Sequence, residues 1–256
     1  MHSKLFDKLP LAQHVWSSVI ALALVSLAAP LAHGTIVRFT TSSGNVDVRL
    51  YDSLTPISVT NFLNYTTSNR YNGTFIHRDP HNYDQTTGAD TGSMHFVVQG
   101  GGFLLNNSIW QAAGITTDAP IGDEFHLSNT RGTLAFAKNS LGATSQWFFN
   151  VGNNSFLDSQ GFTVFGRVLG TGMTVVDTID NLPVINASAA QNAAGEDFRE
   201  VPVRNKQQVY NQNDITANEA VMVSVAVLNY KAGDYDFNGV VNAADYTVWR
   251  NTLCST

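Results

Sequence analysis

A chain of 256 residues has room for one domain with appendages or for two small domains. Hydrophobic residues at 43% suffice for a core, while 13% charged residues and abundant Gly, Asn, Ser and Thr point to a β-rich, turn-rich fold and away from a helical bundle or a disordered chain. The net charge of −6 gives no reason to expect nucleic acid as a partner, and a single cysteine, Cys254, excludes an internal disulfide.

The N-terminus has the layout of a secretory leader. Lys4 and Lys8 supply positive charge, 19–29 is apolar, and Ala32-His33-Gly34 offers small residues for cleavage. The apolar run falls short of the ~20 residues that span a bilayer, and Pro30 interrupts its far end. The expectation is a leader over 1–34, a mature chain from Thr35 with no membrane span, and an exported location: periplasmic, cell-surface or secreted.

In the mature chain, Val37 and Phe39, then Val46, Val48 and Leu50, alternate with polar neighbours around Ser42-Ser43-Gly44-Asn45, the pattern of a β-hairpin. Thr55-Pro56 begins a helix, with Thr55 as cap, Pro56 at the first position and Val59, Phe62 and Leu63 on one face. Strand-like runs return at 74–77, 96–99, 132–137, 147–151 and 162–168. A second helix covers 170–179 with Met173, Val176 and Ile179 on one side. Residues 186–213 are polar and irregular and suggest a long loop, and 221–228 suggests a last strand. Many short strands with two helices predict a closed β-barrel with helical caps.

Four segments in order, Phe75-Ile76-His77-Arg78, Val97-Val98-Gln99-Gly100-Gly101-Gly102-Phe103, Ser145-Gln146-Trp147-Phe148-Phe149-Asn150 and Val164-Phe165-Gly166-Arg167-Val168, resemble the cyclophilin family of peptidyl-prolyl isomerases. The resemblance covers roughly 35–230 and implies a mainly β fold, an eight-stranded antiparallel barrel closed by two helices. It implies rotation about Xaa-Pro bonds, and with the leader the expectation is a monomer that acts on exported polypeptides and assists their folding. Arg78, Phe96 and Gln99 then take the catalytic positions. Val97, Ala137, Gln146, Phe148, Phe156, Leu157 and Phe162 take the substrate-binding positions. Several departures stand out. Phe156 replaces a frequent tryptophan and Phe162 a frequent histidine, differences that bear on cyclosporin binding more than on catalysis. Lys138 stands where asparagine is usual, and an insertion over 79–95 follows the arginine. His81, Asp84, Asp90 and His95 in that insertion fit no trusted metal-ligand spacing. Gly100-Gly101-Gly102 is no phosphate loop, since neither a helix start nor a lysine follows.

The reaction requires neither a nucleophile nor a metal. A peptide bond resists rotation by ~18–20 kcal/mol because nitrogen shares its lone pair with the carbonyl. Before proline the two isomers differ by only about 0.5–1 kcal/mol, so the barrier is the problem. A donor aimed at the proline nitrogen stabilises the twisted state, in which the lone pair returns to nitrogen. Arginine suits that role, being always charged and rich in rigid donors.

Beyond Tyr230 the chain changes character. Asp234-Tyr235-Asp236-Phe237-Asn238-Gly239-Val240-Val241-Asn242-Ala243-Ala244-Asp245 fits a calcium loop with Asp234, Asp236, Asn238, the Val240 carbonyl, Asn242 and Asp245 as ligands and Gly239 at the sharp turn. Tyr246 would start the exiting helix. An aspartate as last ligand resembles a dockerin repeat, here a single one over 231–256, which implies a cohesin-like or cell-surface partner. The catalytic reaction itself calls for no cofactor. The competing expectations are a non-catalytic module that grips proline segments, tethered by this tail, and a structural part of an envelope assembly.

Overall fold

The alternation near the start becomes a hairpin: β1 (Ile36–Thr41) and β2 (Gly44–Leu50) pair antiparallel, with Phe39 opposite Val46. Val37, Phe39, Val46, Val48 and Leu50 all turn inward and are buried. The computed structural model describes residues 34–80, 95–188, 198–212, 214–228, 233–234 and 241–253. Residues 1–33 of the leader expected over 1–34, residues 81–94 of the insertion, and Asp236, Asn238 and Val240 of the expected calcium loop lie outside these. Among the described residues no helix is long and apolar enough to cross a membrane.

Helix α1 (Pro56–Thr67) starts with proline at its first position, as expected. Thr55 precedes it but does not cap it with its side chain; the hydroxyl donates instead to the Tyr51 carbonyl at 3.3 Å. Glu124 supplies the cap, its carboxylate accepting from the Ile57 N–H at 3.1 Å and the Ser58 N–H at 2.7 Å. An anion there satisfies orphan donors and suits the positive end of the helix dipole. A partner so distant in sequence leaves no local signal.

The chain continues through β3 (Thr74–Phe75), β4 (Val97–Gly100), β5 (Phe103–Leu104), β6 (Ala113–Gly114), β7 (Thr133–Asn139), β8 (Gly142–Asn150), β9 (Val164–Val168) and α2 (Gly172–Asp180). After these come β10 (Val184–Ile185), β11 (Val201–Pro202), α3 (Lys206–Gln212), β12 (Met222–Val227) and α4 (Ala243–Leu253). Ten strands form one antiparallel sheet in the order β4-β8-β7-β9-β2-β1-β12-β3-β5-β6, and β10 and β11 pair separately. The sheet curls, so that the chain just past β3 meets β4: Gln99 N–H donates to the Arg78 carbonyl at 2.9 Å and His77 N–H to the Gln99 carbonyl at 3.2 Å. Where a closed eight-stranded barrel is expected, the structure has a curled ten-stranded sheet whose first strand is met by an isolated bridge, not by a ladder.

Inside the curl lies an aromatic core. Phe39 packs edge-on against Trp147 and Phe149 at 4.8 and 5.1 Å, and Phe62 from α1 meets Phe165 at 5.2 Å. Val176 and Ile179 of α2 are buried in the same core, with Met173 packed beside them, as the helical spacing predicts. The glycine run after β4 answers to this core. Gly101 has φ +81°, and a Cβ there would sit 2.4 Å from the Trp147 indole nitrogen. Only a residue without a side chain can cross the indole so closely.

Other differences follow from weak local patterning. The segment 132–151 forms one long hairpin, β7 and β8, because polar Thr144, Ser145 and Gln146 interrupt the alternation without ending the strand. Helix α3 falls within the stretch expected to be loop: Asn205 accepts from the Gln208 N–H at 3.0 Å and starts it, but Val209 is its only buried apolar residue. The described residues therefore hold four α-helices, of which α3 alone is not expected from the sequence.

Candidate active site

Period-two alternation gives the sheet two distinct apolar faces. On β8, Trp147 and Phe149 enter the core, whereas Phe148 belongs to a separate cluster on the outer face. On β4, Val98 faces in and Val97 faces out; on β7, Leu134 and Phe136 face in and Ala135 and Ala137 face out; on β9, Phe165 faces in and Val164 out. The outer cluster thus comprises Val97, Ala135, Phe148, Leu157 and Val164, with Tyr51, Phe96, Leu127, Ala137 and Phe162 packed at its edge. Phe148 and Phe162 lie 6.0 Å apart, edge to face. Phe156 stacks on Phe96 at 5.6 Å and is 58% exposed, forming a rim. Ala137 sits where the β7–β8 register shifts, so the ladder is broken beside it. Every apolar residue that the resemblance assigns to the site is thereby gathered in or against one outward-facing cluster.

A polar line runs along its border. Gln99 lies opposite Phe148 in the β4–β8 register. Its amide donates to Gln146 Oε1 at 2.8 Å, and its Oε1 accepts from Arg78 Nη1 at 3.4 Å. Arg78 Nε donates to Glu200 Oε2 at 3.2 Å. The His77 ring is buried among Phe75, Phe103 and Phe198. Burial holds the His77 pKa down at about 3, with the Arg78 charge contributing in the same direction, so the ring is neutral at ordinary pH. The run Gln146–Gln99–Arg78–Glu200 is therefore continuous.

The wall of the apolar cluster rests on a second network that the sequence reading missed. Asn154 donates to the Phe96 carbonyl and to Asn150 Oδ1, both at 2.8 Å. Asn150 donates to Asn129 Oδ1 at 3.1 Å and to Thr133 Oγ1 at 2.8 Å. Asn129 donates to the Phe162 carbonyl at 2.9 Å and to Asp158 at 3.1 Å. Buried amides so fully paired fix the backbone on either side of the slot. Their spacing, Asn150-Val-Gly-Asn-Asn154 followed by Asp158 amid apolar residues, is the signal that could have revealed them. Glu200, inside the stretch expected to be irregular loop, offers no such signal.

Beyond Arg78 the insertion begins with a buried acidic pair. Burial raises the Asp79 carboxyl well above the usual range, and the nearby Asp180 and Glu200 carboxylates push the same way. His95, at the far end of the insertion, hydrogen-bonds Asp180. Lys138 pairs with Asp123 at 2.5 Å and lies 5.5 Å over the Phe162 ring, at the rim of the slot.

At the C-terminal end, Asp234 and Asp245 are buried. Helix α4 begins at Ala243, earlier than the Tyr246 start expected. Asn242 Oδ1 accepts from the Ala244 N–H, and Asp245 Oδ2 accepts from the Asn242 N–H, each at 2.7 Å. That is a reciprocal helix cap.

The comparisons with known proteins agree with this geometry. The family profile described as cyclophilin type peptidyl-prolyl cis-trans isomerase/CLD matches residues 36–198. The chain is 38% identical over 194 residues to a peptidyl-prolyl cis-trans isomerase of Acinetobacter baylyi, covering 73% of this chain and 94% of that one. It is 34% identical to peptidyl-prolyl cis-trans isomerase B of Escherichia coli, covering 63% of this chain and 94% of that one. The fold is similar to that of a Cryptosporidium parvum cyclophilin solved in the presence of the dipeptide Ala-Pro, with a TM-score of 0.50 at 20% identity over 76% of this chain and 99% of that one. The chain belongs to the cyclophilin-type peptidyl-prolyl cis-trans isomerases.

Proposed function

We propose that this isomerase acts on Xaa-Pro bonds of exported polypeptides, as a monomer, with the proline ring in the outer apolar cluster and Arg78 as the donor to the proline nitrogen. The observation that carries this reading is the juxtaposition of the Arg78–Gln99–Gln146 line with the Phe148 cluster, since Gln99 and Phe148 are register partners. Leu157, Phe148 and Val97 supply the floor, Phe162 and the Phe96–Phe156 stack the rim, and Ala137 a backbone edge freed by the register shift. Burying the pyrrolidine ring anchors the residue after the bond. The peptide carbonyl before it is free to swing toward Gln99, while the arginine favours the pyramidal nitrogen. An acceleration of ~10⁵ asks about 7 kcal/mol of this arrangement.

Titrating an Ala-Pro peptide into isotope-labelled protein is expected to shift the resonances of Arg78, Gln99, Gln146 and Phe148 together. Shifts confined to another face would overturn the placement. Shifts at this site without any exchange between bound cis and trans forms would make the chain a proline-binding module instead.

For the C-terminal segment the proposal is a calcium loop of dockerin type that docks the isomerase to a cohesin-like or cell-surface partner. Its support is the all-oxygen donor set and the burial of both end carboxylates, Asp234 and Asp245. Asp234, Asp236, Asn238, the Val240 carbonyl, Asn242 and Asp245 would hold the ion. Since Asp245 Oδ2 and Asn242 Oδ1 already cap α4, the cap and the ion would share these side chains. Bound calcium would neutralise the loop's carboxylates and tie the loop to the helix start. Calorimetric titration of the full chain with calcium is expected to give one site that Asp236→Ala abolishes. No heat up to millimolar calcium would refute the loop.

A further inference from the structure

Arginine is a long side chain with much rotamer freedom, so a catalytic arginine at a half-exposed site must be held. Arg78 is 42% exposed in its side chain, and the strand bridge fixes only its backbone. Gln99 reaches one edge of the guanidinium, Nη1, at the long distance of 3.4 Å. Glu200 takes the Nε edge at 3.2 Å. Two acceptors on two edges define both the position and the plane of a rigid fork, which neither does alone.

Glu200 is itself placed by several independent ties. Its carbonyl accepts from the Asp79 N–H at 2.8 Å, which fastens its backbone beside the residue after Arg78. The next residues, Val201–Pro202, pair with β10. Phe198 fills the aromatic box around His77, 5.2 Å from Phe103 and 5.6 Å from Phe75. The region matched by the family profile ends at residue 198, so this acceptor comes from a part of the chain beyond it.

We propose that Glu200 is a positioning residue for Arg78, holding the guanidinium plane through Nε so that Nη2 is presented to the substrate before it binds. The inference rests on the reading of Arg78 as the donor. A half-exposed ion pair adds little to stability, so the effect of removing it falls on the reaction and not on folding. Preorganised donors matter most in the twisted state, so turnover and not ground-state binding is affected.

The test uses the full chain with Glu200→Ala, Glu200→Gln, Glu200→Asp and Arg78→Ala, measuring isomerisation and peptide affinity separately. Glu200→Ala is expected to lower kcat by about tenfold while peptide affinity stays within about twofold. Its melting temperature is expected to move by no more than about 4 °C. Glu200→Gln keeps an acceptor of the same reach and retains most of the rate. Glu200→Asp withdraws the carboxylate by one methylene and behaves like the alanine variant. The Arg78 Nε–H resonance marks the bond directly: it is expected to shift and to exchange faster in the alanine and aspartate variants only. Full kcat in Glu200→Ala, with Arg78→Ala inactive, would overturn the role of Glu200. A rate kept by Asp and lost by Gln would overturn positioning in favour of charge. An active Arg78→Ala would instead overturn the reading of Arg78 itself.

Discussion

His77 precedes the arginine in the sequence yet faces the opposite way, into an aromatic box. Its pKa of about 3 lies well below the unfolded value of 6.5. Between those values the unfolded chain binds a proton that the folded protein refuses. Stability from this group is therefore complete above pH 6.5 and falls as the pH drops, by about 1.4 kcal/mol per unit. Asp79 acts in the opposite sense. Its carboxyl is raised in the fold, so its contribution is complete below pH 3.8 and is lost as the pH rises through the folded value. Replacing His77 isolates the first effect. Denaturant unfolding at pH 7 and pH 5 is expected to show a stability difference about 2 kcal/mol smaller in His77→Phe than in the wild type. An unchanged difference would mean that the ring is not held neutral by burial. None of this is visible in the sequence, where His77-Arg78 is a bare pair; the box is built by Phe103 and Phe198, which lie far along the chain.

At the scale of elements, alternation on β8 divides adjacent phenylalanines between two duties. Phe149 belongs to the inner core and Phe148 to the outer slot, although both are buried. Removing Phe149 empties a packed interior, so Phe149→Ala is expected to cost about 3–5 kcal/mol of stability. Phe156 is exposed at the rim, so Phe156→Ala is expected to stay within about 0.5 kcal/mol of wild type in chemical unfolding. It should nonetheless raise KM for a proline peptide by about fivefold through lost apolar contact. A large loss of stability in the second variant would place Phe156 in the fold instead of the site. Period-two patterning made the hairpin of β1 and β2 legible, and three-residue spacing the buried face of α2. Patterning failed where a contact is distant or an element too short to be periodic, as with the Glu124 cap of α1, the two-residue strands β5, β6, β10 and β11, and α3.

Across the whole molecule, the segment from Phe198 to Val227 completes the fold from outside the stretch that carries most of the site. It adds β12 beside β1, covers Phe75 and Phe103 with Phe198, Val201, Val203, Val209 and Ile215, and brings Glu200 to Arg78. The slot and the arginine were legible because their residue types follow a known order along the chain. What holds them was not, because buried asparagines and a lone glutamate have no periodicity, and their partners are set only by the curl of the sheet. The most direct test of the account is isomerisation of an Ala-Pro test peptide by the full chain beside Arg78→Ala. The wild type is expected to accelerate the reaction, and the variant to lose a factor of about 10²–10³ with peptide affinity little changed. An Arg78→Ala protein as active as the wild type would contradict the claim that this arginine carries the reaction.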